Sequence, residues 1–181
     1  MKTVYLMVSH SGTVPANIVR FFTHKEYSHA CYANSAALSN LYTFGRINTA
    51  FFIPGGFITG GIDSDFYQHY PHTKVRVYAV ALTDAQFETV EARLAKFLEN
   101  PAQYHYGFAN CVLQFLGLRV HRPHHYTCSQ MIAQLFEGIL PLQKDWSLAK
   151  PMDFCNLALP CIFEGTAEEY NNMMKQKETV V

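Results

Sequence analysis

Two rhythms of apolar and polar residues run along this chain. Short apolar stretches rich in β-branched residues mark strands, and longer stretches with apolar residues every three or four positions mark helices. Residues 3–9 (TVYLMVS) read as a buried first strand. VRVYAVAL at 75–82 is β-branched and nearly free of charge, which predicts a central strand. SHACYA (28–33) and NLYTFG (40–45) read as two strands joined by a loop of small residues. So short a connection predicts an antiparallel pair. Between them and the central strand, residues 51–62 are rich in glycine and read as a loop with a short strand. LPCIFE at 159–164 predicts a late strand.

The clearest helix covers 84–99. Thr83 and Gln86 form a capping box, Phe87, Val90, Leu94, Phe97 and Leu98 make one apolar face, and Asn100-Pro101 ends it. A second capping box, Thr127 with Gln130, opens a helix carrying Met131, Ile132, Leu135, Phe136 and Ile139, bracketed by Gly138 and Pro141. Residues 107–117 form a further helix whose apolar face is Phe108, Val112, Phe115 and Leu116. Near the start, Thr13 caps a short helix with Pro15 in its first turn and Ile18, Phe21 and Phe22 inward. The polar tail after Tyr170 is expected to fray. With no repeat, low-complexity tract or linker, residues 1–181 read as a single α+β domain.

Composition narrows the function classes. Apolar residues make up 49% of the 181 residues and charged residues 15%, enough apolar material for a sizeable core. Lys+Arg and Asp+Glu both number 14, so no basic surplus points to nucleic acid. The opening MKTVYLMVSHSGT has too short an apolar run and no small-residue cleavage site, so a signal peptide is not expected. The longest apolar stretch, INTAFFIPGGFITGGI, is broken by Pro54 and four glycines, so no transmembrane segment is expected. Five cysteines, an odd number without CxxC spacing, suit a reducing, cytoplasmic setting better than a disulfide framework.

One cysteine stands in a chemically distinct place. With Thr127 as N-cap, Cys128 is the first helical residue, where backbone N–H groups lack partners and the helix dipole is positive. That environment favours a thiolate, and the Cys128 N–H is placed to help hold an oxyanion. A cysteine nucleophile needs a base, for which histidine is the usual residue. Of nine histidines, His29 alone heads a predicted strand, between Ser28 and Ala30. His121, His124 and His125 (HxxHH) and His69 with His72 (HxxH) lack a matching second half for zinc, so they read as solvated loop residues. GGF at 55–57 lacks the lysine and helix of a phosphate loop. Neither a metal nor a cofactor is expected.

The order Tyr-Ser-His-Ala, then Tyr-Thr-Phe-Gly-Arg, then Tyr-Thr-Cys-Ser-Gln resembles the circularly permuted NlpC-type cysteine hydrolases. These belong to the papain-like superfamily together with lecithin-retinol acyltransferase-like proteins. The resemblance spans roughly residues 3–170 and includes the late CIFEGTAEEY segment. It implies an antiparallel sheet carrying the histidine, packed against a helix whose N-terminus presents the cysteine. It also implies a dyad or triad of the thiol-protease kind, with Cys128 as nucleophile, His29 as base and a third group on the next strand to orient the ring. Thr43 is the polar residue there, where relatives often have His, Glu, Asn or Gln; Tyr42 or a backbone carbonyl are the alternatives. Tyr126, Arg46 and Tyr42 are placed to meet substrate, Arg46 through an acidic group. The implied activity is hydrolysis of an amide, ester or thioester in a peptide, a small molecule or a lipid acyl group. A lipid acyltransferase, or a binding module that keeps the fold without catalysis, are the alternatives. Phe51, Phe52 and Phe57 would serve lipid chains or the core. Oligomeric state is not legible.

Overall fold

The computed structural model describes residues 1–11, 26–47 and 55–179. The short helix expected after Thr13, and Phe51 and Phe52, lie outside the described residues.

The architecture is α+β, built on an eight-stranded sheet. In chain order the strands are β1 (Lys2–His10), β2 (His29–Ala33), β3 (Leu41–Arg46), β4 (Gly55–Gly60), β5 (Lys74–Leu82), β6 (His105–Tyr106), β7 (His125–Tyr126) and β8 (Cys161–Thr166). They lie side by side as β7-β6-β4-β3-β2-β1-β5-β8, antiparallel throughout except for the two-residue parallel pair β6–β7. The helices are α1 (Asp65–His69), α2 (Asp84–Glu99), α3 (Phe108–Phe115), α4 (Cys128–Leu135), α5 (Pro151–Cys155) and α6 (Ala167–Thr179). Among the described residues no helix is long and apolar enough to cross a membrane.

Strand alternation sorts the sheet into two faces. On one face Val4, Leu6, Val8, Ala30, Tyr32, Phe44, Tyr78, Val80 and Leu82 are buried against α2, α4 and α5. Phe44, Phe57, Phe97, Tyr104 and Tyr126 form an aromatic nest there, with Phe44 at 5.7 Å from Phe57 and 5.4 Å from Tyr126. On the other face Met7, Cys31, Ala33, Val75 and Val77 are covered by Tyr67 of α1 and by Ala167 and Tyr170 of α6. The segment past Tyr170, read as a fraying tail, is therefore helical: Met173 and Met174 pack against this second cluster.

The short strand expected in the glycine-rich segment is β4, and Gly55 and Gly56 in it are steric. A Cβ on Gly55 would meet Tyr106 Cβ at 2.8 Å, and one on Gly56 would meet the Tyr104 carbonyl at 2.8 Å. They let β6 close on β4.

Helix α3 inverts the pattern read from the sequence. Its apolar residues Val112, Phe115 and Leu116 are 59%, 58% and 61% exposed, while Asn110 and Gln114 are buried. The reason is hydrogen bonding. Gln114 Nε2 donates to the Ala149 carbonyl at 2.8 Å and to Thr127 Oγ1 at 3.2 Å. Asn110 Nδ2 donates to the His125 carbonyl at 2.8 Å and to Gln130 Oε1 at 2.9 Å. Backbone acceptors buried beside α4 need donors, and α3 turns its amides toward them.

This inversion sets a stability test. Gln114→Ala should cost about 1–3 kcal/mol, because it removes two buried hydrogen bonds, one to the Ala149 carbonyl, which keeps only Ser129 Oγ, and one to Thr127 Oγ1. Phe115→Ala should stay within about 0.5 kcal/mol. Urea unfolding of both variants reads the difference; a larger loss for Phe115→Ala would show that α3 is turned the other way.

Candidate functional site

The site is built where β2 and β3 part. They pair at Tyr32↔Tyr42. In a regular antiparallel ladder the next hydrogen-bonded pair, two residues along each strand, would be Ala30 with Phe44. Other groups satisfy Ala30 instead. Thr43 Oγ1 donates to its carbonyl at 2.7 Å, and its N–H points at the sulfur of Cys128. The first residue of α4 thus reaches the opening between two strands, from a helix that packs on the face opposite Cys31 and Thr43.

Both capping expectations hold in detail. Thr127 accepts from the Gln130 N–H, and the Gln130 side chain accepts from the Thr127 N–H. Beyond the box, Ser129 Oγ donates to the Ala149 carbonyl at 2.6 Å and Gln130 Nε2 to the Ser147 carbonyl at 2.8 Å. With the amides of Asn110 and Gln114, these bonds hold the start of α4 from several sides. Asn110 and Gln114 went unnoticed in the sequence because they sit among apolar residues on a helix that looked conventionally amphipathic.

His29 heads β2 and is half-buried. Its Nε2 lies 3.2 Å from Thr43 Oγ1. The single proton of that hydroxyl goes to the Ala30 carbonyl, a better acceptor than the Cys31 thiol beside it. Thr43 must then accept from the ring. That assignment puts the imidazole proton on Nε2 and leaves the Nδ1 lone pair open. No hydrogen bond joins the Cys128 thiol to the ring among the described residues; Ala30 is the link between them.

Thr43 is the neighbour of the ring on β3, and Tyr42 is not. Tyr42 points to the other face, where it stacks on Tyr32 at 6.1 Å. Tyr126 also packs within the aromatic nest, 5.3 Å from Phe97 and 5.9 Å from Trp146. Arg46, at the end of β3, is close enough for its charge to act on His29. Elsewhere among the described residues His121 pairs with Asp145 at 3.0 Å and the His105 and His125 rings lie 5.4 Å apart. Among the described residues no group of three or more His, Cys, Asp and Glu could hold a metal ion. An apolar cleft of about 350 Å³ lies between Thr3, Val80, Leu82, Ile139 and Leu140. It is about 20 Å from His29, judged by the strand rise between Thr3 and Ser9, the partner of His29.

The charge states differ from the sequence expectation. Cys128 is 3% exposed. Burial pushes its thiol up to about 12, against the pull of the N–H groups of Ala30, Ser129 and Cys128 itself. The helix N-terminus therefore does not produce a resting thiolate, because desolvation of the anion outweighs the dipole. Burial, followed by the Arg46 charge, lowers His29 to about 4. At neutral pH Cys128 is a thiol and His29 a neutral imidazole. All five cysteines are free, and Cys161 is exposed.

Comparison of the chain with protein-family models, curated proteins and solved structures returned no match.

Two measurements follow from these charge states. The unfolded chain binds a proton at His29 below about 6.5, but the folded chain only below about 4. Stability carried by the neutral ring is complete above 6.5 and declines as pH falls through 4, by about 3 kcal/mol in total. The difference in urea unfolding between wild type and His29→Gln, taken across that window, should show this slope; a flat difference would place the ring in water. Brief iodoacetamide labelling should modify Cys161 before Cys128, by exposure alone.

Proposed function

We propose that the chain is a cysteine-dependent acyl hydrolase of the permuted NlpC, papain-like kind, with Cys128 as nucleophile, His29 as base and Thr43 orienting the ring. The observation that carries this reading is the pairing around Ala30. One residue's N–H meets the thiol, and its carbonyl takes the proton of the hydroxyl that aligns the imidazole. Such a chain of bonds sets the tautomer a general base needs.

In this reading the resting thiol is neutral. As sulfur attacks the acyl carbonyl, Nδ1 of His29 takes the thiol proton, and the developing oxyanion turns toward the Cys128 N–H. Collapse breaks the bond to the leaving group, which takes the proton from the imidazolium. Water, deprotonated by the same Nδ1, then cleaves the thioester and restores the thiol. Thr43 supplies a neutral acceptor to the imidazolium, weaker than a carboxylate would be. An acyl acceptor other than water would make the same site a transferase. The five free cysteines accord with a reducing, cytoplasmic setting.

A second reading has an observation of its own. A thiol raised to about 12 beside an imidazole lowered to about 4 is an unactivated pair, as suits a binding module that keeps the fold. Turnover of aryl-ester, lipid-ester and dipeptide-amide panels, with intact mass after each, separates the two. The hydrolase shows an acyl adduct on wild type and none on Cys128→Ala. Absence of both adduct and turnover across the panels favours the module.

For the hydrolase, Thr43→Val should lower turnover on the order of tenfold, about 1.4 kcal/mol of barrier, with Tyr42→Phe near wild type. The rate should rise through about pH 4, as His29 loses its proton, and stay level through neutrality. A profile rising through the ordinary thiol range instead would make the thiolate the attacking species at rest.

A further inference from the structure

The exposed face of α3 has no role in the site just described. Val112, Phe115 and Leu116 follow helical spacing on one side, 59%, 58% and 61% exposed. The helix then ends in a Schellman-type turn. Gly117 takes the left-handed conformation at φ 71°, and the Leu118 N–H bonds back to the Leu113 carbonyl at 2.9 Å. That bond folds Leu118, 50% exposed, back beside the end of the helix. A contiguous apolar group of this kind on a surface calls for something to cover it.

The charge around it is one-sided. Between Glu99 and Glu137 the chain carries no Asp, Glu or Lys, but has Arg119, Arg122 and four histidines. Arg119 is exposed immediately beyond Leu118; Arg122 is partly buried and reaches Asn110 Oδ1 at 3.4 Å. Asp145, which caps the turn packed against α3, is already held by Ser147 and His121.

We propose that this face docks the chain on an anionic lipid bilayer, with Val112, Phe115, Leu116 and Leu118 entering the interface and Arg119 meeting the headgroups. Apolar side chains entering the interface and a cation at the headgroups each add to interfacial binding, so the two signals together favour an anionic bilayer. A second copy of the chain fits less well. A symmetric contact through α3 would set Arg119 and Arg122 against their own counterparts, with no acidic residue in the segment to pair them. Four side chains also fall short of the roughly 800 Å² per partner of a stable protein interface. The buried side of α3 bonds the cap of α4 through Gln114, so docking would hold Cys128 about one helix diameter, roughly 10 Å, from the lipid surface. Docking itself is independent of whether Cys128 is catalytic.

Co-sedimentation of the full chain with phosphatidylcholine vesicles, with and without phosphatidylserine, tests it. Wild type should bind the phosphatidylserine vesicles, more weakly in high salt. Phe115→Ser combined with Leu116→Ser should weaken binding about tenfold or more, and Arg119→Gln about fivefold. Both should keep the wild-type thermal midpoint, because these side chains are solvent-exposed; Leu118→Ser, outside the helix, replaces the double variant if its midpoint falls. Failure of wild type to bind phosphatidylserine vesicles overturns the proposal, as does equal binding by the variants. A wild-type dimer in sedimentation that Phe115→Ser with Leu116→Ser dissociates would assign the face to a second copy instead.

Discussion

Ala30 has one N–H and one carbonyl on the edge of β2 that faces β3, and the arrangement around them governs this fold's candidate site. Buried backbone groups go unpaired only at considerable cost, so where a strand neighbour withdraws, something else must answer. Here a side-chain hydroxyl and a sulfur do. The parting of β2 from β3 thereby admits the first residue of α4 to a sheet that would otherwise be closed. The same exchange brings Thr43 to the His29 ring and gives its proton a fixed destination.

Holding a helix start at such an opening demands precision that apolar packing alone does not supply. The polar bonds at the beginning of α4 supply it: the Thr127–Gln130 box, Ser129 to Ala149, Gln130 to Ser147, and the amides of Asn110 and Gln114. Fully satisfied buried networks of this type restrict a segment to one position, whereas partial ones destabilise it. The consequence reaches the surface. Because α3 spends its polar residues inward, its apolar residues face outward, and the molecule acquires a face that its own core does not cover.

Electrostatics at the site follow from depth more than from dipoles. The N–H groups of a helix start favour an anion, yet the Cys128 thiol is held up near 12 because the sulfur is nearly sealed from water. His29 is held down for the same reason, with Arg46 adding to it. Proton transfer in such a pair belongs to the moment of attack rather than to the resting state, and an approaching substrate alters the very burial that sets both values.

Much of the fold was legible in the residues. The runs at 3–9, 28–33, 40–45 and 75–82 are strands, and the boxes at Thr83 and Thr127 start helices, because local periodicity and capping are short-range properties. The pairing of SHACYA with NLYTFG followed from their short connection. Their alternation also put Thr43 and Tyr42 on opposite faces. Which of them would meet His29 depended on how β3 sits beside β2, and that is decided across the sheet. The face of α3 and the helix past Tyr170 were misread, and the extent of the strand at Gly55–Gly60 was not fixed, for a related reason. Each takes its state from neighbours distant in sequence: buried carbonyls beside α4, the close approach of β6, and a hydrophobic cluster on the second face of the sheet. The chain by itself determined what each short segment prefers, since a few consecutive residues encode it. Only the tertiary structure decided which groups are left without water and which hydroxyl meets the ring: burial set the charge of Cys128, and the bond from Thr43 to the Ala30 carbonyl set the tautomer of His29.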